Sequence, residues 1–337
     1  MLGLTPPLEG GSERHIYEVS SRLQCSVLTQ KNSICKKKIE IPIFGKSIIK
    51  NLSFAFLSFI YAFYLLMSKK RFDIIHIHEN LLYFLAPILR ARYKVIITVH
   101  GIKGFRFYDN KFFWIFFRYA LKNADKIIAV SLEDKTILNK VFKEVSYIPN
   151  GVDLSLYKKI KEKTEKKIAF IGRIHEQKGL IYLLKAFQEF NKAHPEFKLE
   201  IIGDINDYAR QLMKEFNNKN IMWQGYISDR EEIIKSLKSA YCIILPSIWE
   251  GLPLTLFESL ASARPVIVSD IPTFKSVIKD EALFFKSQNY KDLARKINIL
   301  STNKTLANEL GKKGLKLANL YDWNYIAKQT KELYDKT

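Results

Sequence analysis

Short runs of consecutive apolar residues recur along this chain, and helical patterns lie between them. In Val95-Ile96-Ile97 and Cys242-Ile243-Ile244-Leu245, every residue is apolar. A strand without a polar face is buried on both sides, as in a parallel sheet that helices cover. The alternation of strands and helices predicts βαβ units and therefore an α/β fold.

The predicted strands fall into two groups, on either side of a polar, lysine-rich stretch at Leu154–Lys167. A chain of 337 residues is long enough for two α/β domains. We therefore predict an N-terminal domain over residues 1–155 and a C-terminal domain over residues 156–321. The first group of strands comprises Ser26–Thr29, Asp73–Ile77, Lys94–Val99, Lys126–Val130 and Val145–Ile148. The second comprises Lys167–Ile171, Lys198–Ile202, Ile221–Gln224, Cys242–Leu245, Pro265–Ser269 and Ala282–Phe285. Since only Met1–Leu4 precede Pro6-Pro7, an opening strand there is predicted to be very short or incomplete.

The formal net charge of +20 is the most unusual feature of the composition. It suits three classes of partner: nucleic acid, an anionic membrane surface, or phosphorylated small molecules. No helix-turn-helix, zinc-finger or RNP-like pattern is present, so no nucleic-acid partner is expected. The three cysteines lack CxxC spacing and no secretory signal peptide is visible, which predicts a cytoplasmic protein.

Two segments raise the question of membrane contact. Leu52–Met67 is uncharged, but it is shorter than the roughly 20 apolar residues that a spanning helix needs. We predict it to be a core helix of the first domain, with an interfacial helix and, less favoured, a membrane span as the alternatives. Phe105–Arg118 mixes aromatic and basic residues, a composition that also suits a membrane surface.

In the first half, two turns combine glycine with polar residues. Gly10-Gly11 lies where a strand should give way to a helix, with Ser12 as the predicted N-cap, and backbone N–H groups there attract phosphate. Thr98-Val99-His100-Gly101 ends a buried strand, and the carboxyl ends of parallel strands face the ligand crevice. His100 is therefore a candidate functional residue.

Two further histidines, His76 and His78, alternate at the end of another predicted strand. No third ligand accompanies them at a suitable spacing, so we interpret them as structural or cleft-lining residues. No metal site is predicted.

The second half opens with a buried strand that leads to Gly172. Arg173 and Lys178 then bracket a short loop before a helix. A guanidinium fork and an ammonium in these positions suit a diphosphate.

Two glutamates follow the apolar strand Cys242–Leu245. Glu250 lies in the loop, and Glu258 lies on a helix predicted to begin near Leu254. The start of that helix presents N–H groups that suit a diphosphate. Because carboxylates accept hydrogen bonds from vicinal hydroxyls, Glu258 suits a ribose and Glu250 suits a sugar ring.

The order and spacing of these motifs resemble those of the retaining GT-B glycosyltransferases of family 4. The matching motifs are Gly10-Gly11-Ser12-Glu13, Thr98-Val99-His100-Gly101, Pro149–Asp153, Arg173…Lys178 and Glu250…Glu258. The resemblance implies two Rossmann-like domains whose parallel sheets face a central cleft. The N-terminal domain would bind the acceptor and the C-terminal domain the nucleotide sugar, and the final helix, residues 322–337, would pack back onto the N-terminal domain. One departure is Gly203-Asp204-Ile205, where the family usually has a Gly-x-Gly turn.

The resemblance also implies a role for each matching residue. Arg173 and Lys178 would neutralise the leaving diphosphate without a metal ion or other cofactor. Glu250 would hold the donor sugar and His100 would orient hydroxyl groups, which makes these four the predicted catalytic residues. The predicted donor-binding residues are Gly11, Arg173, Lys178, Tyr226, Gly251, Leu252, Leu254, Thr255 and Glu258.

The expected function is transfer of a hexose-type sugar, with retention, from a UDP-sugar or GDP-sugar to a glycan, lipid-linked or polysaccharide acceptor. Such an enzyme would serve cell-envelope polysaccharide biosynthesis in the cytoplasm, at the inner face of the membrane, with peripheral contact to anionic lipid as a further expectation. Two alternatives stay open: a nucleotide-sugar epimerase of the same fold, and a non-catalytic protein that binds a membrane surface. An epimerase would consume the donor without an acceptor.

Overall fold

The computed structural model describes residues 1–6, 10–45, 47–102 and 111–337. Part of the predicted Gly-Gly turn, residues 7–9, and the start of the aromatic-basic segment, residues 105–110, lie outside the described residues. The chain forms two compact units: Met1–Gly151 together with Trp323–Thr337, and Val152–Asp322. The polar stretch predicted as a linker begins with a short helix of the second unit.

The first unit contains parallel strands only, among its described residues. Strands β1 and β2 pair with each other, and β3, β4, β5 and β6 form a second sheet in that order. Leu2 makes parallel bridges to both Leu28 and Ile77, so the predicted opening strand consists of a single bridging residue. Strand β2 was not predicted from the sequence. The strands are β1 (Val27–Gln30), β2 (Lys38–Ile41), β3 (Ile74–Ile77), β4 (Lys94–Val99), β5 (Lys126–Ala129) and β6 (Val145–Tyr147).

Helices cover the sheets of the first unit. Helix α1 is capped by Gly10 rather than by the predicted Ser12, and it buries Ile16 and Val19. Ser12 lies within the helix, where its hydroxyl donates to Glu13. The helices are α1 (Gly11–Leu23), α2 (Ser47–Met67), α3 (Ala86–Leu89), α4 (Lys111–Lys122), α5 (Leu132–Asn139) and α14 (Trp323–Asp335), with a 3-10 helix at Asn80–Leu85.

Helix α2 is not the core helix that the sequence predicted. Phe54, Ala62 and Leu65 are buried, but the exposed fractions of Phe56 and Phe63 are 65% and 49%. Its segment Ile49–Met67 is long and apolar enough to cross a membrane, and only 22% of the most apolar part is buried. Apolar periodicity could not distinguish burial in protein from exposure, since this helix is apolar on both faces.

The second unit is built on one six-stranded parallel sheet in the order β12-β11-β10-β7-β8-β9. The chain runs outward from β7 to one edge and from β10 to the other, so the strand order reverses between these two strands. Such a reversal point is where open α/β sheets bind ligands. The strands are β7 (Lys167–Ile171), β8 (Lys198–Ile202), β9 (Ile221–Gly225), β10 (Cys242–Leu245), β11 (Val266–Ser269) and β12 (Leu283–Phe285).

Two apolar clusters cover the faces of this sheet. Phe170 and Phe187 belong to one, and Phe257 and Phe274 to the other, and all four are fully buried. The helices are α6 (Leu154–Lys159), α7 (Leu180–Ala193), α8 (Asp207–Glu215), α9 (Arg230–Ser239), α10 (Leu254–Ala261), α11 (Pro272–Val277), α12 (Tyr290–Thr302) and α13 (Lys304–Ala318).

Candidate functional site

An ion pair joins the loops that follow the two central strands of the second unit. The Nζ of Lys178, after β7, lies 2.6 Å from the Oε1 of Glu250, after β10. The exposed fractions of the two side chains are only 12% and 6%. The structure therefore brings two of the predicted catalytic residues together at the reversal point of the sheet.

Glycine at position 179 makes this contact sterically feasible. Its φ is +64°, and a Cβ there would stand 2.0 Å from the carbonyl oxygen of Pro246. Any side chain at Gly179 would push the two loops apart and would separate Lys178 from Glu250.

Neighbouring polar groups fix the Glu250 carboxylate and its backbone. Ser247 donates its hydroxyl to Oε1 at 2.7 Å, and the amide of Gln177 donates to Oε2 at 3.4 Å. Thr273 donates to the carbonyl oxygen of Glu250 at 2.7 Å. A buried carboxylate with one cation and several donors is held in a single orientation.

Glu258 forms a second ion pair, with a cation that the sequence analysis missed. The Nη2 of Arg230, in the first turn of α9, lies 2.6 Å from the Oε1 of Glu258 on α10. Asp229 caps α9 through the N–H of Glu231 and so fixes the start of that helix. A capping aspartate followed by an arginine indicates the start of a helix, but the sequence does not show which carboxylate the arginine will contact.

Most of the remaining predicted donor residues lie in loops of the second unit or at the start of one of its helices. Helix α10 begins at Leu254 with no capping side chain, so the N–H groups of Leu254 and Thr255 have no such acceptor. The side chain of Leu252 is buried in the core, which leaves only its backbone for a ligand, and Tyr226 is half-exposed. Arg173 is exposed, and no ion pair links it to the part of the chain that the structure describes.

Gly203, the first residue of the turn that departs from the family pattern, has a structural role. A Cβ at Gly203 would stand 2.2 Å from the carbonyl oxygen of Gly172, so the loops after β7 and β8 also approach closely. Gly203 is thus required for backbone packing beside the turn that carries Arg173.

In the first unit, His100 directly follows β4 and is half-buried. The carboxylate of Asp134 accepts hydrogen bonds from the N–H groups of Gly101 and Ile102, at 3.1 and 2.9 Å. Burial, and then the charge of His15, hold the pKa of His100 well below its usual value, so the ring is neutral at pH 7. The sequence analysis did not identify Asp134 as a candidate residue. A serine three residues before an acidic residue is typical of a helix N-cap, and the Ser131 hydroxyl does accept the N–H of Asp134.

Gly11 is exposed at the first position of helix α1. Gly251 lies in the loop before α10 and is partly exposed. Within the described residues, no group of three or more His, Cys, Asp or Glu side chains is arranged to hold a metal ion.

Two family models match this chain. Residues 155–317 match the model described as Glycosyl transferases group 1, and residues 9–156 match the one described as Glycosyltransferase Family 4. The two matches adjoin each other and together account for most of the chain.

Relatives with described activities are similar over part of their length. A UDP-Gal:alpha-D-GlcNAc-diphosphoundecaprenol alpha-1,3-galactosyltransferase from Escherichia coli is 29% identical over 247 residues. That alignment covers 65% of this chain and 63% of the relative, so the match spans less than two thirds of that enzyme.

Two solved structures resemble the whole chain. Sucrose-phosphate synthase from Thermosynechococcus elongatus has a TM-score of 0.82 at 21% identity and covers 99% of this chain and 95% of its own. Anabaena HepE in complex with UDP has a TM-score of 0.80 at 14% identity. The alignment covers 100% of this chain and 99% of HepE. This likeness confirms the predicted fold, GT-B with two Rossmann-like domains.

Proposed function

The chain belongs to the family 4 (group 1) glycosyltransferases, and from that premise we propose that it transfers a hexose-type sugar from a nucleotide-diphosphate sugar to a glycan or lipid-linked acceptor, with retention of configuration. The observation that carries this proposal is the buried Lys178–Glu250 pair at the reversal point of the second sheet. Arg173, exposed and without an ion-pair partner among the described residues, lies in the same loop as Lys178.

The proposed mechanism relies on stabilisation of the leaving group. The bond between the anomeric carbon and the diphosphate breaks, and an acceptor hydroxyl forms the new bond on the same face of the sugar. The hydroxyl proton passes to the departing diphosphate. Arg173 and Lys178 neutralise the negative charge that develops on that diphosphate, which makes a metal ion unnecessary. Glu250, held by Lys178 and Ser247, positions the sugar.

Glu258 is proposed to bind the ribose of the nucleotide. Arg230 occupies one side of its Oε1, and the carboxylate keeps further lone pairs for vicinal hydroxyls. The N–H groups at the start of α10 would bind phosphate oxygens. Since the Escherichia coli relative uses a diphosphoundecaprenol acceptor and HepE binds UDP, we propose a UDP-sugar donor and a lipid-linked acceptor in envelope polysaccharide synthesis.

A lipid acceptor requires access to a membrane, and the first unit offers a suitable surface. Helices α2 and α4 both pack against the 3-10 helix Asn80–Leu85. All three elements carry exposed apolar side chains, and we call them together the apolar surface. Its exposed residues are Ile49, Leu52, Phe56, Phe59, Ile60, Phe63, Tyr64, Met67, Leu81, Phe84, Ile115, Phe116 and Tyr119.

Exposed cations border the apolar surface. Lys69, Lys70 and Arg71 follow α2, and Arg118 lies on α4. Exposed apolar patches of this extent mark interaction sites, and basic residues beside them favour anionic lipid. We propose that the apolar surface docks on the cytoplasmic face of an anionic membrane.

Nucleotide binding tests the donor site. UDP, GDP, ADP and their sugar conjugates, added in EDTA, should include one that raises the melting temperature, because a ligand of the folded state stabilises it by mass action. NMR of the product formed from that donor gives the anomeric configuration. An isomerised donor sugar without an acceptor would favour the epimerase, and no stabilisation by any nucleotide would contradict the proposal.

Vesicle binding tests the apolar surface. The double variant Phe56→Ser/Phe63→Ser should bind phosphatidylglycerol vesicles at least roughly tenfold more weakly, since each buried phenylalanine contributes about 2 kcal/mol. Leu320→Ser removes an exposed apolar residue of the second unit and should leave vesicle binding unchanged. Equal binding of the double variant and the wild type would exclude this surface.

A further inference from the structure

Asp134, in the first turn of α5, is bonded to the turn that follows β4. Its Oδ2 accepts the N–H of Gly101 at 3.1 Å, and its Oδ1 accepts the N–H of Ile102 at 2.9 Å. Asp134 and Ile102 are both buried, with exposed fractions of 3% and 0%. One buried carboxylate therefore binds the two backbone N–H groups that directly follow His100, a predicted catalytic residue.

The backbone of this turn has the shape of an anion-binding site. The φ of Gly101 is +92°, which residues with a side chain rarely adopt. Successive N–H groups in such a turn point towards one position, where an anion can bind. In this chain the carboxylate of Asp134 occupies that position, so the turn binds a group of the protein itself.

The position of Asp134 is fixed in its turn. Ser131 caps α5, and its hydroxyl accepts the N–H of Asp134 at 3.0 Å. The strands β4 and β5 are paired up to Val99 and Ala129, and the N–H of Val130 donates to the carbonyl oxygen of Val99 at 3.3 Å. The carboxylate therefore reaches the turn after β4 from a neighbouring strand and helix that are themselves held in place.

The ring of His100 has little support of its own. Its Nε2 lies 3.2 Å from the Nδ1 of His78, and its Nδ1 has no hydrogen-bond partner among the described residues. The ring of His76, by contrast, is bonded at both nitrogens, to the hydroxyls of Tyr334 and Thr98, each at 2.6 Å. The direction of the His100 ring therefore depends strongly on where the turn holds its backbone.

The negative charge of Asp134 matters for this contact. Burial raises the pKa of Asp134, and the N–H groups of Ile102 and Gly101 oppose that rise. An ionised carboxylate accepts from both N–H groups, and such charge-assisted bonds are roughly twice as strong as neutral ones. An amide in its place would offer an oxygen to one N–H group and would turn its own N–H donors towards the other.

These contacts give Asp134 a part in the reaction that the sequence did not indicate. We propose that Asp134 is a positioning residue, whose carboxylate holds the turn at residues 100–102 and so sets the place and direction of the His100 ring. This inference rests on the proposed function and on the predicted catalytic role of His100. Asp134 acts through His100 and is not itself proposed to contact the substrate.

Asp134→Asn tests the positioning role, because it keeps the size of the side chain and removes its charge. The kcat for transfer from UDP-hexose donors to alkyl hexosides should fall roughly 10–100-fold, since a displacement of about 1 Å at a catalytic group has effects up to that size. The Kd for the nucleotide that stabilises the wild type should not change, because the candidate donor residues Lys178, Glu250 and Glu258 lie in the second unit.

Asp125 provides the matched control, since it binds the other end of the same strand. Its Oδ2 accepts the N–H of Val95, near the start of β4, at 2.8 Å. Asp125→Asn therefore removes the same charge from a backbone N–H of β4, and it should lower the melting temperature without changing kcat. An equal fall of kcat in both variants would mean that these bonds matter only for the folding of β4, and it would overturn the proposal.

A double-mutant cycle shows whether Asp134 acts through His100. His100→Ala should itself lower kcat, and Asp134→Asn added to it should lower kcat no further. Ser131→Ala, a milder change that removes the cap of Asp134, should give a smaller loss that also vanishes in the His100→Ala background. All variants are compared well below their melting temperatures, so that loss of folded protein does not contribute.

NMR of protein with ¹⁵N-labelled histidine provides a measurement that does not depend on activity. The ring signals of His100 should shift in Asp134→Asn and should not shift in Asp125→Asn. The ring signals of His194, in the second unit, should stay unchanged in both variants.

The outcomes separate this inference from the proposed function. If the wild type neither binds a nucleotide nor transfers a hexose, the proposed function fails, and this inference fails with it. If the wild type does both, an unchanged kcat in Asp134→Asn, additive losses in the cycle, or an unshifted His100 signal would each overturn the positioning role alone.

Discussion

Glu250 and Glu258 in the second unit differ from Glu79 in the first unit in whether a cation lies beside the carboxylate. In the second unit, Glu250 and Glu258 each have a cation at 2.6 Å. In the first unit, Glu79 has no cation within ion-pair distance among the described residues, and His78 and His100 are neutral. A site that must accept a diphosphate needs cations already in place.

The units also differ in their exposed surfaces. Within the described residues, most of the exposed large apolar side chains lie on α2, α4 and the 3-10 helix of the first unit. The second unit exposes few, among them Tyr226 and Trp249, which lie near its ion pairs in the sequence. Under the proposed function, this difference would assign the charged nucleotide to the second unit and the lipid contact to the first.

The largest effect should follow Lys178→Met. It leaves Glu250 buried without its cation, which typically costs 3–5 kcal/mol of stability, and it removes a charge from the leaving-group site. We expect at least roughly a 100-fold loss of kcat and loss of stabilisation by the nucleotide. Kinetics and melting curves with and without UDP measure both effects.

Lys167→Met provides the matched control. Lys167 forms another buried pair, with Glu200 at 2.9 Å, away from the candidate site. This variant should be destabilised similarly but should still respond to the nucleotide. If the nucleotide stabilises neither variant, the two ion pairs would matter for folding and not for nucleotide binding.

Acid should destabilise the first unit before the second. Burial lowers the pKa of His15 from 6.5 to about 4, and the pKa values of His76, His78 and His100 fall in the same direction. A depressed histidine pKa gives stability that is present above pH 6.5 and is lost as pH falls towards 4. His15 alone accounts for about 3 kcal/mol over that interval.

Glu79 acts in the opposite direction, because its pKa is raised from 4.5 to about 7 and its contribution to stability is lost as pH rises. Burial also raises the pKa of Asp134. With four histidines against these two carboxyl groups, the net effect should be acid lability. Hydrogen exchange at pH 7 and pH 5 should show earlier loss of protection in β3 and β4 than in β7 and β10. Equal protection at both pH values would contradict this distribution of charge.

A smaller effect is expected from Glu258→Gln. The glutamine can still accept from Arg230, but the hydrogen bonds to a ribose lose their charge assistance. The Kd for the nucleotide should rise roughly tenfold with little change in melting temperature, as calorimetry would show. Glu232→Gln, at an exposed site on α9, serves as the control, and an unchanged Kd in Glu258→Gln would remove Glu258 from the ribose site.

The smallest effect should come from Lys313→Ala. Lys313 pairs with Asp280 and Glu309, which raise its pKa, but these side chains are exposed to solvent. Exposed ion pairs contribute little to stability, so the melting temperature should not change measurably. A clear decrease in the melting temperature would show that an exposed ion pair can stabilise this protein as much as the buried pairs of the candidate site do.

Sequence patterns predicted the fold well because parallel strands leave a clear apolar signal. Lys94–Val99 and Cys242–Leu245 are strands with the bounds predicted. Strand β2 (Lys38–Ile41) alternates charged and apolar residues, which is itself a strand pattern, but four residues are too few for that pattern to be distinctive. The exposure of α2 was missed because apolar composition does not say whether protein or another phase covers a helix.

The candidate site, like the fold, could be predicted from the sequence only in part. The sequence determined which residue types lie at the ends of the central strands: His100, Arg173, Lys178 and the two glutamates. Only the tertiary structure decided that Lys178 bonds to Glu250 and that Arg230 bonds to Glu258. Ion pairs and buried unpaired groups depend on which loops meet across a sheet, and those contacts join residues far apart in the chain. Local sequence fixes a strand and the residue that follows it, and the packing of strands side by side fixes what that residue touches.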